Sequence, residues 1–130
     1  MVVDDNKIIR SSFCRVLRNV IENSIKNYNI ITADDGIDAL NLIKLDQKEY
    51  KIKCIFTDEY MDYLNGSNTI KIIKELEKDN KINRILLVSI SSSDDDMSRL
   101  KFLNSGADSV ISKPCSEFKL YNTMNELKLI

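Results

Sequence analysis

The run Ile85-Leu86-Leu87-Val88 restricts the fold more than any other stretch. Four consecutive apolar residues leave no polar face, so a strand here is covered on both sides. Such strands belong to parallel sheets, whose crossover helices pack on the faces. The surrounding chain follows that rule. Met1–Val3 reads as a strand end closed by Asp4-Asp5-Asn6, and Tyr28–Ala33 and Ile52–Thr57 read as the second and third strands. Val110-Ile111 supplies a short fifth.

Helical spacing fills the gaps. Ile9, Phe13, Leu17, Val20 and Ile25 predict one long helix over Lys7–Ile25, with Arg10, Arg15 and Arg18 on its polar face. Asp34-Asp35-Gly36 turns into a second helix carrying Ile37, Leu40 and Ile43. Asn65-Gly66-Ser67 caps a third, with Ile70, Ile73 and Leu76 as its stripe. Ser93 with Asp96 resembles a capping box for a fourth, which carries Met97, Leu100 and Leu103 and stops at Gly106. A fifth, about Ser116–Leu129, is expected to turn Phe118, Tyr121 and Met124 inward. Five alternations of strand and helix predict an α/β fold with a parallel sheet. The chain is read as one domain over residues 1–130.

Composition narrows the chemistry. A formal charge of -1 gives no basic surface for nucleic acid or membrane, and no segment approaches a membrane span. Cys14, Cys54 and Cys115 lack metal-ligand spacing and read as free thiols of a reducing, cytoplasmic compartment, with Cys54 in the core. The chain has no histidine. That removes histidine-activated nucleophiles and a phosphohistidine donor within the chain, and leaves carboxylates, lysines and hydroxyls.

In the predicted topology Asp4, Asp5, Asp58, Ser91 and Lys113 fall at carboxyl ends of strands and converge on one edge of the sheet. Singly they read as turn residues, a loop hydroxyl and a bend. Together they need a cation, because three carboxylates about 5 Å apart repel by roughly 3 kcal/mol per pair at an effective dielectric near 20. Hard oxygen ligands without nitrogen or sulfur favour Mg²⁺. Such a site suits phosphoryl transfer onto a carboxylate that is already ionised and needs no base.

The residues Val2-Val3-Asp4-Asp5-Asn6, Asp34-Asp35-Gly36-Ile37-Asp38-Ala39-Leu40, Asp58 with Met61 and Gly66, Ser91-Ser92, Gly106-Ala107-Asp108 and Lys113-Pro114 carry a family pattern. The chain resembles a response-regulator receiver domain of two-component phosphorelays over essentially its whole length. The resemblance implies a flavodoxin-like, doubly wound, five-stranded sheet of order 2-1-3-4-5 with five helices. It implies Asp58 as phosphoacceptor, with Asp5, Asp58 and the backbone carbonyl of Tyr60 binding Mg²⁺ and Asp4 assisting. Ser91 is implied as the switch hydroxyl, Lys113 as the salt-bridge partner of the phosphoryl group, and Pro114 as a cis-proline. The partner so implied is a histidine kinase or histidine phosphotransfer protein. The only reactions so implied are the domain's own phosphorylation and dephosphorylation, and the readout is a shifted face of helix four, strand five and helix five.

Departures from the family pattern include Asn65-Gly66, where relatives usually carry Asp-Gly, and two that bear on how a signal is read. Asp62 replaces the usual proline, and Val110 occupies a position where many relatives hold a switch aromatic. These two departures motivate an alternative, a receiver-like interaction module that is not phosphorylated. A phosphatase of the haloacid-dehalogenase type would need a second acid two residues after Asp58, where Tyr60 stands. The short first strand, and the lack of an effector segment after Leu129, read as a single-domain receiver or one excised from a hybrid histidine kinase.

Overall fold

The computed structural model describes residues 1–46, 51–92 and 95–130. Its elements run β1 (Val2–Val3), α1 (Lys7–Glu22), β2 (Thr32–Ala33), α2 (Gly36–Leu45), β3 (Cys54–Asp58), α3 (Gly66–Lys78), β4 (Leu86–Ser91), α4 (Asp96–Ser105), β5 (Ser109–Ser112) and α5 (Glu117–Glu126). The strands form one parallel sheet, as the alternation of elements predicts, in the order β2-β1-β3-β4-β5 that the family resemblance implies. The order reverses between β1 and β3, where α/β sheets open a crevice beyond their strand ends.

Alternation along each central strand splits the interior into two layers. Val3, Ile55, Leu87 and Val110 face α2, α3 and α4, meeting Ala39, Ile43, Ile70, Ile73 and Phe102. Val2, Phe56, Val88 and Ile111 face α1 and α5, meeting Cys14, Leu17, Val20, Ile21, Leu120 and Met124. The unbroken apolar run in β4 is thus explained by its two covered faces.

Helix starts follow local chemistry. The side chains of Asn6, Asp35, Asn65, Asp95 and Ser116 each accept a backbone N–H from the first turn they precede. For α4 the cap is Asp95; Ser93, expected in a capping box with Asp96, lies outside the described residues. Gly106 ends α4 at φ 107°, the left-handed conformation that glycine adopts without a Cβ clash.

Several boundaries and faces differ from the sequence expectation. The first helix ends at Glu22, not Ile25, because the N–H groups of Ser24 and Ile25 both turn back to the Ile21 carbonyl. The second strand covers only Thr32–Ala33, since β1 offers just Val2 and Val3 for pairing. In α5, Leu120 and Met124 point inward, whereas Phe118 and Tyr121 are 74% and 49% exposed. Two apolar stripes share Met124, and packing beside α1 selects the one through Leu120. In α4, Met97, Leu100 and Leu103 are exposed and the buried residues are Phe102 and Ser105. In α2, Ile37 is exposed and Ala39 and Ile43 are buried.

Candidate functional site

The crevice at the carboxyl edge is built by β1, β3 and β5. Asp4 and Asp5 follow β1, and Asp58 is the last residue of β3. One carboxylate oxygen from each of Asp4, Asp5 and Asp58 lies within 4.8 Å of the others. Lys113, just past β5, donates from Nζ to Asp58 Oδ1 at 3.1 Å. The backbone anchors this lysine as well, because Lys113 N–H donates to the Ser91 carbonyl at 2.7 Å.

Burial is graded across the acids. Asp4 is 6% exposed, Asp58 half-buried and Asp5 exposed. Burial pushes the Asp4 carboxyl above its usual range; the Asn6 N–H bonded to it opposes this, the charge of Asp58 adds to it, and Lys113 again opposes. The rise is thus chiefly a cost of burial, with the neighbouring carboxylates adding to it and Lys113 offsetting part of it. The donor set is oxygen only, with an exposed carboxylate on the open side, so the residues fit a hard divalent cation such as Mg²⁺.

The remaining predicted residues fall around this centre. Ser91 ends β4 and is buried. Tyr60 follows the strand with its side chain in solvent. The Lys113–Pro114 peptide is cis, and Lys119 of α5 holds that loop through Ser112 Oγ at 2.9 Å. Val110 is buried in the layer under α4. Gly66 permits a close backbone approach, since a Cβ there would overlap the Asp58 carbonyl, and its N–H donates to the Glu59 carbonyl at 3.0 Å. Only glycine lets α3 start this close to the end of β3.

Sequence reasoning missed two contributors. Arg10, assigned only to the polar face of α1, donates from Nη1 to the Asp4 carbonyl at 2.6 Å and pairs with Asp34 at 2.9 Å. Its place one turn after Asn6 is the available signal. Glu59 is 5% exposed, with its carboxylate on Ser67 and Lys101. No periodicity marks it, since an acid beside a strand end ordinarily lies in solvent.

Comparison with known proteins bears on the family and the fold. The family model for the response regulator receiver domain matches residues 1–125. A hybrid signal transduction histidine kinase A of Dictyostelium discoideum is 28% identical over 88% of this chain, which spans 5% of that relative. This chain spans about half the length, or less, of the curated relatives it matches. Among solved structures, the receiver domain of Ssk1 from Saccharomyces cerevisiae, in a co-crystal with the histidine phosphotransfer protein Ypd1, superposes with TM-score 0.76. It is 26% identical, covering 96% of this chain and 84% of that one. The receiver domain of the sensor histidine kinase PA1611 from Pseudomonas aeruginosa, which has a magnesium ion in its active-site cleft, shares the fold with TM-score 0.73. It is 19% identical, covering 96% of this chain and 92% of that one. With the match running from the first strand into the last helix, this chain belongs to the response regulator receiver domain family.

Proposed function

We propose that Asp58 is a phosphoacceptor that takes a phosphoryl group from phosphohistidine on a separate kinase or phosphotransfer protein. A carboxylate oxygen of Asp58 forms the new P–O bond while the P–N bond to the donor imidazole breaks. The electron pair leaves with that imidazole, which is protonated as it departs. Asp58 attacks as the anion, so no general base is required. Lys113 stabilises the equatorial oxygens from the position where it already pairs with Asp58, and Ser91 is the hydroxyl that follows the transferred group. Asp4, Asp5, Asp58 and the Tyr60 carbonyl would hold Mg²⁺, which neutralises charge on the phosphoryl oxygens. Val110 then serves as a non-aromatic switch position, and the domain acts as a signalling module whose only chemistry is on itself.

The observation that carries this reading is the contact of Lys113 Nζ with Asp58 at 3.1 Å beside three clustered carboxylates. Exposed Ile8, Ile9, Tyr60 and Tyr63 lie on the segments that follow β1 and β3, where a protein donor would be met. Incubation with a small phosphodonor should give a base-labile, acid-stable adduct that requires Mg²⁺ and disappears in Asp58→Asn. Full labelling of that variant would refute the assignment. The alternative, an interaction module that is not phosphorylated, draws on buried Val110 and on exposed Asp62. It is favoured if beryllofluoride binds yet leaves partner affinity unchanged.

A further inference from the structure

The residue after the phosphoacceptor points the other way. Successive strand residues alternate between faces, so where Asp58 turns to the acidic cluster, Glu59 enters the layer under α3 and α4. A buried carboxylate must be paired, and the partners of Glu59 come from two different helices. Its Oε2 accepts the Ser67 N–H at 2.9 Å, and its Oε1 accepts Ser67 Oγ at 2.8 Å. Those bonds fix it to the amino end of α3, where negative charge is favoured. Oε1 also accepts Lys101 Nζ of α4 at 3.2 Å.

Helix α4 has few other holds. Its buried residues are Phe102 and Ser105, and its other long-range polar tether among the described contacts is Arg99 Nη1 to the Val110 carbonyl, at 3.4 Å. Val110 has no ring whose rotamer could report on the site. The covalent neighbour of Asp58 is therefore tied directly to a helix whose buried residues are Phe102 and Ser105, of which Phe102 is the one apolar anchor. We infer that the Glu59–Lys101 pair is the link through which occupancy of Asp58 sets the position of α4. This rests on the phosphoacceptor reading and goes beyond it by naming the route. Movement at the end of β3 carries Glu59 with it, and Glu59 draws or releases Lys101. Both are positioning residues; neither touches the transferred group.

The test is amide exchange across α4, with and without Mg²⁺ and beryllofluoride, in the wild type, Lys101→Met and Lys101→Arg. Lys101 is 58% exposed and Glu59 keeps both Ser67 bonds without it, so the variants fold. In the wild type, ligand should change α4 exchange by about fivefold. Lys101→Met should bind beryllofluoride as the wild type does and lose most of that change, and Lys101→Arg should restore it. A general loss of stability would raise exchange in both states and leave the ligand-dependent difference intact. An undiminished difference in Lys101→Met overturns the coupling alone, as does a wild-type α4 that does not respond to bound ligand. Failure of the wild type to bind beryllofluoride overturns the phosphoacceptor reading and the coupling together.

Discussion

Helices α1 and α4 cover opposite faces of one sheet and are held in opposite ways. Four residues of α1, Cys14, Leu17, Val20 and Ile21, are buried against Val2, Phe56 and Val88. In α4, Phe102 and Ser105 are buried while Met97, Leu100 and Leu103 face out. What α4 lacks in apolar burial it partly replaces with long cationic side chains, Arg99 to the Val110 carbonyl and Lys101 to Glu59. Apolar burial is non-directional and gives a helix a deep well, whereas a few charged contacts give a shallower one that a neighbouring charge can shift. On the coupling proposed above, the face under α1 would serve as a platform and the face under α4 as the part that answers the site.

The largest expected effect tests that contrast by truncation. Leu17→Ala, at a side chain 3% exposed, should cost about 2–5 kcal/mol in urea unfolding. Leu100→Ala, at a side chain 51% exposed, should stay within about 0.5 kcal/mol. Comparable losses at the two sites would erase the distinction.

A second test uses pH on the α1 face. Burial pushes the Cys54 thiol up to about 12 from 9.0. The unfolded chain releases that proton at lower pH than the folded one. Its contribution to stability is therefore fully present below pH 9.0 and lost as the pH rises toward about 12. The slope in that window should be about 1.4 kcal/mol per pH unit, and Cys54→Ala should flatten it. An unchanged alkaline limb would mean that water already reaches this face.

The smallest effect sharpens the description of α4. Asp95 accepts the Ser98 N–H at 2.7 Å. Asp95→Ala should cost about 1 kcal/mol, read as faster amide exchange in α4 with α1 unaffected. A loss spread equally over both helices would show that α4 is not an independent unit.

Residue chemistry and spacing made the architecture legible. The apolar run in β4 implied two covered faces, and the alternation of periods implied the parallel sheet. Asp58, Ser91 and Lys113 could be placed at strand ends because each lies within three residues of the end of a short apolar run. Caps such as Asn65 and Gly106 were equally readable, being decided within four residues. The choice of face in α5 was not, because Phe118, Tyr121 and Met124 have helical spacing and so do Leu120 and Met124. The role of Arg10 was hidden as well, because a basic residue on a polar face gives no sign of what it reaches back to.

The sequence by itself determined the order and type of elements and the carboxyl-edge location of Asp4, Asp5, Asp58, Ser91 and Lys113. Those follow from hydrophobic period and local hydrogen bonding, which act over a few residues. Only the tertiary structure decided that Lys113 meets Asp58, that Leu120 rather than Phe118 enters the core, and that Glu59 is buried between α3 and α4. Each depends on groups brought together from distant parts of the chain, where close packing and the pairing of buried charge select one arrangement from several that the local pattern allows.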